Sequence, residues 1–275
     1  MSAGVIRAAA VQIAVSMDVT QNLAALEALI EPLPPGVLAV APEGSLSGYL
    51  PEAGFVAMID LAATSNAIDR MRALVERKRI HLVAGACIHE HEQWRNSSFY
   101  FGPDGAAARY DKINLAQSER GTFSPGSMLP VIDIVVEGEP VRLGIQMCRE
   151  IRYPEQWRAL AVQGAQVIAY VNNAVGSVRG DALWRAHMIS RAAEIQRFVV
   201  GANNAAADQT CPTMIVSPSG EVISHAQIGA NEVVTATLTL SETSDWVLSQ
   251  AREDVVAVRF SGSLDPRAGL GAMLR

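Results

Sequence analysis

With 275 residues, 49% hydrophobic and 18% charged, the chain can bury one large core or two modest ones, which excludes both a disordered chain and a minimal scaffold. A net charge of −6, with no basic stripe interleaved with aromatics, argues against nucleic acid as a partner. No apolar run approaches the roughly 20 residues needed to span a bilayer, and Cys87, Cys148 and Cys211 form no CxxC pair. The chain therefore reads as a soluble, cytoplasmic protein with reduced thiols and no membrane partner.

From the N-terminus, the Ala/Val-rich run Ile6 to Val15 reads as a buried strand. It leads into "TQNLAALEALIEP", a helix with Thr20 as its expected cap and Leu23, Leu26 and Ile30 at helical spacing. "GVLAVAPE" is a short buried strand ending at Glu43, "SNAIDRMRALVERKR" repeats the helical pattern, and "HLVAGACI" is a third strand. The order β-α-β-α-β predicts an α/β sandwich. "SSFYFGPDGAAARY" and, much later, "TMIVSPSGEVISHA" each place two strand-like runs around a Pro-x-Gly turn and predict hairpins. These two hairpins hint at an internal repeat.

Between them come a strand from Val141 to Cys148, a helix beginning near Pro154, the strand "AQVIAYVN", a helix from Asp181 to Gln196 and the strand "RFVVGANN". Alternation without a linker predicts one domain over residues 1–240. The tail, 241–275, loses strict periodicity and is expected to pack at an oligomer interface.

Several strand ends carry chemistry. In "GIQMCREIRYPE", Cys148 closes an apolar run; alone, such a cysteine reads as a buried inert thiol. Arg149 and a helix N-terminus at Pro154 would instead favour thiolate there, and ligand sites in α/β sheets gather at carboxyl strand ends. Glu43 ends "VLAVAPE"; it is either a solvated loop residue or, in a partly dry site, a base of raised pKa. Lys112, in "ARYDKINL", is either a surface lysine or the cation for a developing oxyanion. His89 and His91 form a His-x-His pair with no third ligand, which reads as solvated loop; no metal and no cofactor are expected. A papain-like thiol hydrolase would need a histidine base, and neither His187 nor His225 lies in a context that suggests one.

"APEGSLSGY", "YDKINL" and "MCREIRYPE" resemble, in order, the three signature segments of the nitrilase superfamily of carbon–nitrogen hydrolases. The resemblance runs from about Ile6 to about Leu240 and includes "SERGTFSPG", "RAAEIQRFVVGANN" and "IVSPSGEVI". It implies a four-layer α-β-β-α sandwich that dimerises, so that the expected partners are a small-molecule substrate and a second copy of the chain in a homodimer or higher homo-oligomer. It implies Glu43 as general base, Lys112 as catalytic lysine, Cys148 as nucleophile and Glu119 as a second glutamate assisting proton transfer.

The implied reaction is hydrolysis of a small linear amide or N-carbamoyl substrate through a Cys148 thioester. Nitrile hydrolysis and a non-catalytic binder on the same fold are the alternatives. Glu150 stands where the family commonly has Asp, and Thr213 and Ser217 depart from its late Gly-x-Ser and Asp-Pro-x-Gly pattern. For substrate contacts, Tyr49, Arg149, Asn172 and Asn173 are candidates, with Trp184 and Arg179 as further wall residues. The asparagines read equally well as turn residues, whereas Trp157 reads as core. Arg149 and Glu150, just after the nucleophile, are where substrate specificity is expected to be written.

Overall fold

The computed structural model describes residues 4–52, 54–174, 180–256, 260 and 262. Its first half runs β1 (Val5–Gln12), α1 (Val19–Ile30), β2 (Leu38–Val40), α2 (Leu61–Lys78), β3 (His81–Glu90), β4 (Gln93–Phe101) and β5 (Ala107–Asp111). The second half runs β6 (Val131–Val136), β7 (Glu139–Met147), α3 (Pro154–Val162), β8 (Val167–Val171), α4 (Gly180–Ile195), β9 (Phe198–Ala202), β10 (Met214–Val216) and β11 (Val222–His225). It closes with β12 (Glu232–Thr239) and a short α5 (Trp246–Ser249).

These strands form two six-stranded sheets, ordered β12-β1-β2-β3-β4-β5 and β11-β10-β9-β8-β7-β6. In the first, β1, β2 and β3 are parallel, β4 and β5 follow as antiparallel hairpins, and β12 pairs antiparallel with β1. The second repeats that plan: β7, β8 and β9 are parallel, β10 and β11 follow antiparallel, and β6 covers β7. The paired hairpins of the sequence are thus part of a full duplication of topology.

Residue alternation explains the layering. On β1, Ile6, Ala8 and Ala10 face the large core shared with the second sheet. Ala9, Val11 and Ile13 face a second core with Leu23, Leu26 and Ile30 of α1 and Met71 and Val75 of α2. On the other side, Trp157 and Leu160 of α3 and Met188 and Ala192 of α4 join the shared core. Helix, sheet, sheet, helix is the expected four-layer α-β-β-α sandwich, and Trp157 is fully buried as its spacing requires.

The expected cap of α1 is corrected. Asp18, not Thr20, is the N-cap: its carboxylate accepts from the backbone N–H of Thr20 and Gln21, an arrangement in which the charge also meets the helix dipole. The strand predicted through Cys148 ends one residue earlier, at Met147, because the chain turns sharply into a 3₁₀ segment, Cys148–Arg152. Two strands without a counterpart in the sequence reading, β6 and β12, seal the outer edges beside β7 and β1.

Candidate active site

Glu43 lies just past the carboxyl end of β2, Lys112 just past β5, Cys148 just past β7, and Asn172 and Asn173 just past β8. Glu119 ends a 3₁₀ turn, Gln117–Glu119, on the loop after Lys112. Glu43 and Glu119 are completely buried, and Lys112 is 1% exposed.

Lys112 Nζ donates to Glu43 Oε1 at 2.8 Å and to Glu119 Oε1 at 2.9 Å. Asn96, on β4, donates through Nδ2 to the same two oxygens, at 2.7 and 2.6 Å. One ammonium and one amide therefore bind two carboxylates into a closed square. Tyr49 adds a third donor to Glu119 Oε1, at 2.9 Å, and the backbone N–H of Ala116 bonds Glu119 Oε2. Glu43 Oε2 is buried with no hydrogen-bond partner among the described residues. It is an acceptor held free in the interior, where such groups are rare.

The two carboxyl groups differ accordingly. Burial, reinforced by the charge of Glu119, pushes Glu43 up against the pull of Lys112 and Asn96. Glu119 is also raised by burial, but the Lys112 charge and the bonds from Lys112, Ala116 and Tyr49 outweigh this and hold it below the ordinary carboxylate range. Burial disfavours the Lys112 charge, yet Glu119 and Glu43 more than compensate and hold its pKa well above the ordinary lysine value. The cluster therefore favours the charged forms of Lys112 and Glu119 and raises the pKa of Glu43.

Cys148 occupies a left-handed backbone conformation, φ +37°, unusual for a residue with a side chain. Its carbonyl accepts a 2.6 Å bond from the Tyr170 hydroxyl, and its Sγ approaches the Asn173 carbonyl at 3.9 Å. Burial raises the thiol well above its usual pKa, as do the charges of Glu43 and Glu119, while Lys112 opposes them. The resting group is a neutral thiol within the electrostatic reach of all three charged members of the cluster.

The family model for carbon–nitrogen hydrolases matches residues 7–247. The chain belongs to the carbon–nitrogen hydrolase family. It is an enzyme of nitrilase-superfamily type, similar to an (R)-stereoselective amidase of a Pseudomonas species, 31% identical over 201 residues that cover 71% of this chain and 70% of the relative. An omega-amidase, NIT2 of Homo sapiens, is 29% identical over 214 residues, 70% of this chain and 75% of that one. Among solved structures, the NitFhit protein of C. elegans superposes with TM-score 0.79 at 22% identity, covering 93% of this chain and 67% of its own. A nitrilase-superfamily amidase from Nesterenkonia AN1 gives 0.76 at 20% identity, covering 91% and 95%. These structural likenesses carry the fold.

The remaining candidate positions separate into wall and frame. Tyr49 is buried, with its hydroxyl on Glu119. The Asn173 amide is engaged by protein groups: Nδ2 reaches the Glu43 carbonyl at 3.4 Å, and Oδ1 accepts from Asn204 and Gln209 at 3.1 and 3.0 Å. Asn172 accepts the Glu43 N–H on its carbonyl at 3.0 Å, and its buried Oδ1 has no partner among the described residues. Arg149 is exposed beside Cys148. Trp184 lies under the Arg152 guanidinium, 5.7 Å from the ring centre, and Arg179 falls outside the described residues.

His89 packs on the Trp94 ring at 5.0 Å. Thr213 bonds the Asn203 backbone, and Ser217 closes the turn between β10 and β11 by accepting from Glu221. Glu150 is completely buried, its carboxylate bonded to the backbone N–H groups of Ile113, Asn114 and Met147. Asn96 and Tyr170 are framework residues that the sequence reading did not single out. An Asn within the strand "QWRNSSFYF", just before its buried aromatic run, was the available signal for the first, because a buried amide needs partners.

Proposed function

We propose that this enzyme hydrolyses a small linear amide or N-carbamoyl compound through a Cys148 thioester. The observation that carries this reading is the buried square, in which Lys112 and Asn96 each bridge Glu43 and Glu119 while Glu43 Oε2 stays unbonded. Glu43 takes the thiol proton as Sγ attacks the carbonyl carbon. Lys112 and the backbone N–H of Arg149 stabilise the oxyanion. The proton held by Glu43 goes to the departing nitrogen, and ammonia or an amine leaves. Glu43, with Glu119 assisting, then takes a proton from water, whose oxygen attacks the thioester and releases the acid and the thiol. Relatives named as amidases support the amide as the bond cleaved.

The test is ammonia or amine release from a panel of short ω-amides, N-carbamoyl amino acids, N-carbamoyl amines and aliphatic nitriles, with Cys148→Ala as control. Turnover of an amide or N-carbamoyl compound by wild type alone, with an acyl adduct on Cys148 by intact mass, is the expected result. Turnover confined to nitriles would overturn the substrate class. Absence of both turnover and adduct would overturn the thioester mechanism.

A further inference from the structure

The conformation of Cys148 needs a restraint, and its spacing from Lys112 needs another, because the two residues leave strands of different sheets. Glu150 meets both needs. Its Oε2 accepts from the Met147 N–H at 3.0 Å, bracing the turn at the residue before the nucleophile. Its Oε1 crosses to the other sheet and accepts from the Tyr110 hydroxyl at 2.7 Å and from the N–H groups of Ile113 and Asn114 at 2.9 and 3.0 Å. Gln156 of α3 approaches the same oxygen at 3.4 Å and the Tyr110 hydroxyl at 3.3 Å.

The residues bonded across the gap, Tyr110 on one side and Ile113 and Asn114 on the other, bracket Lys112, and the one bonded locally, Met147, immediately precedes Cys148. No Lys or Arg forms an ion pair with Glu150 among the described residues; burial raises its pKa, opposed by the bonds from Asn114, Tyr110 and Met147 and by the nearby Lys112 charge. A carboxylate serves here because its two oxygens both accept, one toward each turn, whereas an amide offers a single acceptor oxygen. The Trp157 indole N–H donates to the Glu150 carbonyl at 3.0 Å, so the backbone of the turn is pinned as well.

We infer that Glu150 is a positioning residue that sets the separation of Lys112 from the Cys148 sulfur by bonding the two turns to one carboxylate. This rests on the assignment of Cys148 as nucleophile and Lys112 as its cation. It predicts a kinetic effect beyond stability, since misplacement by about 1 Å is enough to cost a site on the order of 100-fold.

Glu150→Asp keeps the charge and shortens the reach by one methylene; Glu150→Gln keeps the length and loses acceptor capacity. Both are expected to lower kcat by about tenfold or more, with KM within about threefold. A second readout is independent of any substrate: the rate at which methyl methanethiosulfonate modifies Cys148, followed by peptide mass across pH. In Glu150→Asp this rate is expected to fall and its pH midpoint to rise, because the thiolate loses the aligned Lys112. Folded variants with wild-type kcat, modification rate and midpoint would overturn the inference and leave Glu150 as a stability residue.

Should both variants fail to fold, Tyr110→Phe decides, since it removes one donor and leaves the backbone bonds. A folded Tyr110→Phe protein is expected to show a smaller fall in modification rate, and an unchanged rate and midpoint would reject the positioning role. If wild type turns over no amide, N-carbamoyl compound or nitrile, the proposed function fails while the modification kinetics still judge Glu150.

Discussion

Glu43 holds the most consequential single proton in the molecule. Its pKa is raised by burial above the ordinary value of 4.5, and a base must be unprotonated to accept the thiol proton. Proton acceptance is therefore available above that raised pKa and lost as pH falls through it, so the acid limb of kcat/KM is expected above pH 4.5. Lys112 is held well above the ordinary lysine value of 10.5, so it contributes no alkaline loss below that pH. A pH–rate profile checks both; an acid limb at or below the ordinary carboxylate value would contradict the assignment. Glu43→Gln should lower kcat by roughly 10² to 10⁴. Asn96→Leu removes a donor shared by Glu43 and Glu119 and leaves both carboxylates one bond short, so it should cost activity, measurable in the same assay, and about 1–3 kcal/mol of stability, measurable by denaturant unfolding.

Among the secondary-structure elements, the ends matter most. Asp18→Ala should destabilise the fold by about 1 kcal/mol, whereas Thr20→Ala, one residue inside α1, should cost less; chemical denaturation distinguishes them. Gly85 on β3 packs against the turn that carries Glu43, its N–H donating to the Pro42 carbonyl at 3.2 Å. A Cβ there would lie 2.6 Å from Glu43 Cα and 2.9 Å from the Gly44 nitrogen, both backbone atoms. Gly85→Ala is therefore expected to displace the Glu43 turn and reduce kcat in protein that still folds; wild-type kinetics would show that the turn tolerates the shift. Strands β6 and β12 were legible in principle. "VIDIVV" runs from Pro130 to a Glu-Gly turn whose residues, Glu137 and Gly138, both have positive φ, and "EVVTATLT" alternates buried Val234 and Leu238 with exposed Thr235 and Thr237. Their position is another matter: β12 joins β1 across almost the whole chain, and no local pattern announces such a pairing.

Considered whole, the molecule places the parallel centres of two equivalent sheets face to face, so that the carboxyl ends of β2, β7 and β8 deliver Glu43, Cys148 and Asn173 to one site. The implied homodimer is a separate expectation. Val162, Trp246, Val255 and Val256 are 61–73% exposed, and light scattering should return twice the chain mass of 29.3 kDa or a higher multiple; a monomer at micromolar concentration would reject it. Alternating apolar runs and turn residues were sufficient to specify the sandwich, because burial on a strand has period two and on a helix 3.6, and both periods are written locally. The ordered segments around Glu43, Lys112 and Cys148 were sufficient to indicate the family. Their surroundings were not legible, because Asn96, Tyr170 and Glu150 act through bonds whose partners lie tens of residues away or in the opposite sheet. Glu150 shows the difference most plainly: its place beside Arg149 in sequence pointed to specificity, but only packing shows its carboxylate turned inward, where the N–H groups of another turn required an acceptor.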